Sequence, residues 1–310
     1  MHWTHVCGPN RLSSVLNTNF LEDSVMYVIF GANGRAGGET ARALIERGEP
    51  VRVVVRRAAQ GERWKSLGAE VAVASLDNAA EVSDALDGAT AAFLLNPPPV
   101  VGDPFVQTTT IATALTEAVP RANLPRAVVL SSVGAQHASG TGVIATLHQF
   151  EASLLGIAPA TAFLRPGYFV DTWSEVAEFA VSDGVLPSFL PLDQKIPMVS
   201  TVDVGQAAAR LLTQHWTGKR TVELGGPDDW SARDVAAAFG EVLGRPVEPT
   251  WVPPDERSAI LAETGLPAEV VAALLGMYDG IASGRVAHQD GNEYWRGTTP
   301  LTAAVKRLMT

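Results

Sequence analysis

The chain has 310 residues, 46% hydrophobic and 18% charged, enough apolar material for one large α/β unit and too much for general disorder. Its formal net charge of −10 speaks against a nucleic-acid groove and an anionic membrane surface, both of which call for a basic face. The single cysteine, Cys7, excludes an intrachain disulfide or cysteine zinc site and fits a reducing, cytoplasmic setting.

Residues 1–24 carry no basic segment followed by an apolar block, so they are not a secretory signal and read as a loose extension, with an upstream start as one explanation. Residues 25–30 are apolar throughout, as in a parallel strand covered on both faces. A helix is expected over 35–47, with Gly48 placed to end it. Strands follow at 50–57 and 69–77, then a short helix at 79–86 and a strand at 89–99 that prolines stop. A helix at 103–119 has Asp103 to cap it and Pro104 in its first turn. A fifth strand at 126–135 and a helix at 142–155 complete the alternation, which predicts right-handed βαβ units in a doubly wound parallel Rossmann sheet over 25–165.

Beyond "TAFLRPGYF" the rhythm changes and prolines crowd the chain. Residues 166–310 read as a smaller lobe capping a substrate, with about 196–226 returning to the sheet. Within it, Ser231 and Asp234 have capping-box spacing, and Val271, Leu274, Leu275 and Tyr278 share one helix face. No apolar run approaches the roughly 18 residues of a membrane span.

The stretch "VMYVIFGANGRAGGETARALIERG" sets Gly31, Gly34 and Gly37 between a strand and a helix. Gly31 lets the chain turn off the strand, Gly34 lets backbone approach a diphosphate, and Gly37 lets the helix pack close. With Asn33, Arg35 and Ala36 these residues form the expected dinucleotide turn, its helix N-terminus facing the anion. An NAD site commonly has a carboxylate at the end of the second strand; this chain has Arg56 and Arg57, so NADP(H) is favoured over NAD(H). Asp77 either borders the adenine or is a turn residue.

The glycine spacing points to the short-chain dehydrogenases, whose helix after the fifth strand normally carries Tyr-x-x-x-Lys. Here it reads "GVIATLHQFEASLL", with neither residue. Ser131 and Ser132 occupy the strand end where such enzymes keep a hydroxyl. The ordered set "GANGRAGG", "VRVVVRR", "FLLNPPP", "VVLSSVGAQ", "LHQFEASL", "FLRPGYF", "IPMVSTVDVGQAAA" and "VELGGP" resembles the NmrA-like family of atypical short-chain dehydrogenases. Known members are either NAD(P)H-dependent reductases of quinones, azo compounds and related acceptors, or dinucleotide-binding regulators without turnover. The resemblance implies that Asn96 and Pro97 flank the cofactor ribose and that Pro166, Gly167, Tyr168 and Phe169 line the nicotinamide. One departure stands out: where members often show "EN" after the aromatic pair, this chain has Asp171 and Thr172.

Hydride transfer to an electron-poor acceptor asks little of the protein beyond stacking the acceptor and excluding water. A reductase is therefore favoured over a sensor, acting on a small molecule as a monomer or homodimer. His148 is the candidate proton donor, or a ribose contact, or a surface histidine. Tyr168 bonds the acceptor or packs, and Ser132 bonds the nicotinamide amide or ends its strand. His137 reaches the mouth of the site or is solvated, and Glu151 pairs with His148 or faces water. Trp173, Trp230, Trp251, Met277 and Tyr278 form an apolar ceiling or belong to the core. No metal is expected, because the six histidines make no H-x-x-x-H pair and the cysteine is alone.

Overall fold

The computed structural model describes Met1 and residues 25–309. Met1 apart, the extension read at 1–24, with Cys7, lies outside the described residues. The chain runs through β1 (Tyr27–Phe30), α1 (Arg35–Glu46), β2 (Val51–Val55), α2 (Glu62–Lys65), β3 (Glu70–Val73), α3 (Ala79–Ala85), β4 (Ala91–Leu94), α4 (Pro104–Arg121), β5 (Arg126–Leu130), α5 (Ile144–Ser153) and β6 (Ala160–Pro166). Then come β7 (Tyr168–Phe169), a 3-10 turn (Val170–Glu175), α6 (Ala177–Ser182), β8 (Val185–Ser188), β9 (Ile196–Val199), α7 (Thr201–Thr213) and β10 (Gly218–Gly225). The last elements are β11 (Asp229–Trp230), α8 (Ala232–Leu243), β12 (Glu248–Trp251), α9 (Pro254–Ala262), α10 (Ala268–Ala282), β13 (Glu293–Arg296) and α11 (Leu301–Leu308).

Eight strands make one wholly parallel sheet in the order β13-β10-β6-β5-β4-β1-β2-β3. The period of two in a strand sends alternate residues to opposite faces, and here both faces are apolar. Tyr27, Ile29, Val51 and Val53 pack with α1 and α7, through Leu44, Val204 and Leu211. Val28, Phe30, Val54 and Ala92 pack with α3, α4 and α5, through Val82, Leu115 and Phe150. This is the doubly wound Rossmann-like fold. Strand order reverses between β1 and β4, which opens a crevice at the carboxyl ends of the strands.

A third apolar cluster lies beyond the sheet, where Trp173, Trp230, Phe239 and Ile281 pack beneath the small sheets β11-β9-β7 and β12-β8. The capping box forms as expected. The Ser231 N–H donates to Asp234 Oδ2 at 2.8 Å, and the Asp234 N–H donates to Ser231 Oγ at 3.2 Å. Ser231→Ala is expected to lower stability by about 0.5–2 kcal/mol, read as a drop in the urea midpoint. An unchanged midpoint would show that the cap contributes nothing.

The structure shortens the expected strands; β3 stops at Val73 rather than reaching 77, and two further cases bear on the site. β5 ends at Leu130, so Ser131 and Ser132 lie on the turn that leaves the sheet rather than inside a strand reaching 135. β4 ends at Leu94, ahead of the prolines. The edge strand β13 has no counterpart in the sequence reading; three of its four residues are exposed, so it lacks the apolar signature of its neighbours.

Candidate active site

The turn after β1 lies at the crevice. Gly31 has a φ of +67°, and a side chain there would run into Leu95. The Gly34 N–H donates to the Gly31 carbonyl at 2.8 Å, closing the turn. A Cβ on Gly37 would lie 2.6 Å from the Gly31 carbonyl carbon and 2.8 Å from the Phe30 oxygen, so α1 touches the strand backbone directly. No side chain caps α1 and its first turn holds no acidic residue. Its free N–H groups and partial positive charge therefore remain for an anion. The Ala36 side chain is buried in the core, which leaves its backbone for the ligand side.

Guanidinium groups surround this cradle. Arg56 and Arg57 are exposed just past β2, and neither guanidinium makes a hydrogen bond or ion pair among the described residues. Arg63, which sequence reasoning missed, donates to the Ala32 carbonyl at 3.3 Å and stacks on Trp64. The Asn33 side chain is occupied in bracing the turn: its Oδ1 accepts from Trp64 Nε1 at 3.0 Å and its Nδ2 donates to the Gln60 carbonyl at 3.2 Å. Arg35 reaches across to the 3-10 turn, 3.2 Å from both Ser174 Oγ and Glu175 Oε1. Both partners are exposed, so the pair is weak and free to exchange for a phosphate. Asp77 is exposed beside a shallow groove between α3 and α4.

A cavity of about 290 Å³ continues from the crevice. Asn96, Pro97, Ser131 and Ser132 line its sheet side; Pro166, Gly167, Tyr168 and Phe169 line the side opened by β6 and β7. Val143, Ile144, Leu147, Leu274, Met277 and Val286 make it strongly apolar. The Asn96 amide donates to Thr108 Oγ1 at 2.8 Å, which leaves Oδ1 buried and without a partner. An orphaned acceptor of this kind calls for a donor from a bound group.

Behind Ser131 runs a buried ionic chain. Ser131 Oγ donates to Glu151 Oε1 at 2.5 Å, and the Arg165 fork grips Glu151 through Nε at 2.8 Å and Nη2 at 2.7 Å. Arg165 also lies 3.5 Å from Glu223, whose other partners are His288 Nδ1 at 2.5 Å, the Gln289 N–H at 3.0 Å and Asn292 Nδ2 at 3.1 Å. Glu151, Arg165 and Glu223 are all nearly inaccessible. Burial works against the Arg165 charge, but bonding to the two carboxylates outweighs it and holds its pKa above the ordinary value. Glu151 thus neither pairs with His148 nor faces water, as the sequence suggested. It faces inward because Arg165, fourteen positions later, supplies the countercharge.

His148 is half-buried and is not part of the cavity wall. Its Nδ1 meets the Ala135 carbonyl at 2.9 Å; a carbonyl only accepts, so that nitrogen carries the proton. His137 is half-buried on the same loop. Burial, together with the neighbouring Tyr278 hydroxyl and the Glu175 charge, pushes the Tyr168 phenol well above its usual range. It keeps its proton at neutral pH, with the Tyr278 hydroxyl beside it. Asp171 ties the 3-10 turn to α7, accepting from the Thr201 N–H at 2.9 Å and the Thr201 hydroxyl at 2.5 Å. Of the aromatic ceiling, Met277 lines the cavity, Trp173 and Trp230 belong to the third core cluster, and Trp251 is on the surface.

The strand order and the glycine turn at its reversal define a Rossmann-like α/β protein. The chain belongs to the NmrA-like family, whose model matches residues 24–285. It is 25% identical to the NAD(P)H azoreductase of Xenophilus azovorans over 254 residues, 82% of this chain and 86% of that one. Its fold is shared with the NADPH-dependent quinone oxidoreductase of Escherichia coli complexed with NADPH (TM-score 0.74, 22% identity, covering 92% of this chain and 100% of that one). It is shared too with the triphenylmethane reductase of Citrobacter sp. complexed with NADP(H) (TM-score 0.71, 21% identity, covering 92% and 99%). Among the described residues no helix is long and apolar enough to cross a membrane, and no cluster of histidine, cysteine or carboxylate side chains has metal-binding geometry.

Proposed function

We propose that this chain is an NAD(P)H-dependent reductase, taking NADPH in preference to NADH and reducing a quinone-like, azo or other electron-poor small molecule. The observation that carries this reading is the joining of an uncapped glycine turn to an apolar cavity at the strand-order reversal. Gly31 abuts Leu95, and the next residue, Asn96, is already cavity wall. The named activities of the azoreductase, quinone oxidoreductase and triphenylmethane reductase relatives support it.

The backbone of residues 31–37 holds the diphosphate, and Arg56, with Arg57, Arg63 and Arg35 nearby, meets the 2′-phosphate. Asn96 Oδ1 and Ser131 Oγ accept from the carboxamide and ribose. Residues 25–165 thus carry the cofactor, and elements of 166–310 cover the acceptor. When bound, the nicotinamide supplies a hydride. The acceptor takes that hydride from NADPH and one proton from solvent, leaving NADP⁺. Tyr168, fixed in its protonated form, donates a hydrogen bond to the negative charge that develops on the acceptor. His148 holds the turn at Ala135.

The test follows NADPH absorbance over a panel of quinones, azo dyes and enones, with cofactor titration by fluorescence. Oxidation with at least one acceptor class is expected. Tight binding without oxidation across the panel would leave a non-catalytic dinucleotide sensor instead, and no uptake of either coenzyme would remove both readings. Arg56→Ala should cost about 1.5–3 kcal/mol of NADPH affinity and little of NADH affinity. Equal losses for the two coenzymes would take Arg56 off the 2′-phosphate.

A further inference from the structure

We propose, resting on the reductase reading, that the acceptor is an uncharged molecule and that the cavity rejects acceptors bearing a carboxylate, sulfonate or phosphate. No lysine, arginine, histidine, aspartate or glutamate lines the cavity. Most of the hydrogens on its polar side chains are already committed. Ser131 donates to Glu151, Ser132 to the Val133 carbonyl at 2.9 Å, Thr146 to the Val143 carbonyl at 2.7 Å, and the Asn96 amide to Thr108. The backbone N–H groups of Ser131, Val133 and Gly167 donate to Leu164, Pro166 and Leu224.

What these groups still offer a ligand is chiefly lone pairs, on Ser131 Oγ and Asn96 Oδ1, with one amide hydrogen left on Asn96 Nδ2. Among the lining side chains, the Tyr168 and Thr172 hydroxyls are the other donors. An anion placed here would lose its hydration and find acceptor atoms and hydrocarbon in exchange. Arg165, which precedes the lining residue Pro166, is held by the two carboxylates behind Ser131. The approach is apolar as well. Val100 and Val101 follow the lining residue Pro99 and are 61% and 70% exposed.

The test compares para-naphthoquinone with its ring-sulfonated derivative as acceptors for NADPH oxidation, each corrected for the uncatalysed rate. Sulfonation withdraws electrons and makes the ring a better hydride acceptor, so a preference for the neutral quinone runs against intrinsic reactivity. The expected kcat/KM for the sulfonate is lower by about 100-fold or more. Met277→Lys, or Leu274→Lys if the first variant folds poorly, places an ammonium on the wall and should narrow that ratio by about tenfold or more. Similar kcat/KM for the two quinones would overturn the inference and leave the reductase reading standing. A large preference that neither lysine variant narrows would assign the rejection to size rather than charge, and overturn it too. Turnover of neither quinone, nor of any acceptor in the wider panel, removes the reductase reading and the inference with it.

Discussion

Arg165→Leu should destabilise the protein by about 3–5 kcal/mol, because it strands two buried carboxylates that now share one guanidinium. Glu151 and Glu223 are 7% and 1% exposed, so water cannot replace the lost partner. Urea unfolding of variant and parent reads this gap as a fall in the midpoint. Arg165→Lys keeps the charge but not the fork, and should fall between. A small gap would show that the ionic chain is not what holds β6, α5 and β10 together.

Gly37→Ala is the second large effect. The added methyl meets the backbone of Phe30 and Gly31, which has no rotamer through which to yield. The N-terminus of α1 must move off β1, and overpacking of this kind costs about 1–3 kcal/mol. The same movement displaces the N–H groups of the turn, so NADPH affinity should fall by about tenfold or more. Gly48→Ala, just past α1, is the control for affinity: nothing lies within 4 Å of the added atom, so NADPH binding should be unchanged, while its φ of +76° makes the alanine cost about 1 kcal/mol of stability. Coenzyme titration by fluorescence and thermal melts on both variants check the pair. Unchanged affinity in Gly37→Ala would mean that the close packing of α1 is irrelevant to the turn.

The parts legible from sequence were those written in local spacing. The strand-to-helix alternation, the three glycines and the Ser231 box each depend on residues a few positions apart, and each formed where its spacing put it. The parts that escaped depend on partners far along the chain. His148 and Glu151 are three residues apart on one helix, which made them look like a pair. The fold sends Glu151 inward to Arg165 and His148 towards the Ala135 carbonyl. Asn33 looked like part of a ligand-facing turn, but Trp64 and the Gln60 carbonyl claim its side chain from thirty-one and twenty-seven positions away. The tryptophans of the second half could not be sorted by pattern, since a buried indole and a cavity-facing one carry the same letter.

The placement of β13 has a consequence for biosynthesis. Glu223 takes its contacts to His288, Gln289 and Asn292 from residues more than sixty positions later, and the strand beside β10 begins only at Glu293. A nascent polypeptide thus carries a partly neutralised acid and an open sheet edge until residues 288–296 have been made, a state prone to association. Premature stop codons ahead of Glu293 should therefore yield insoluble product rather than a shortened but serviceable protein.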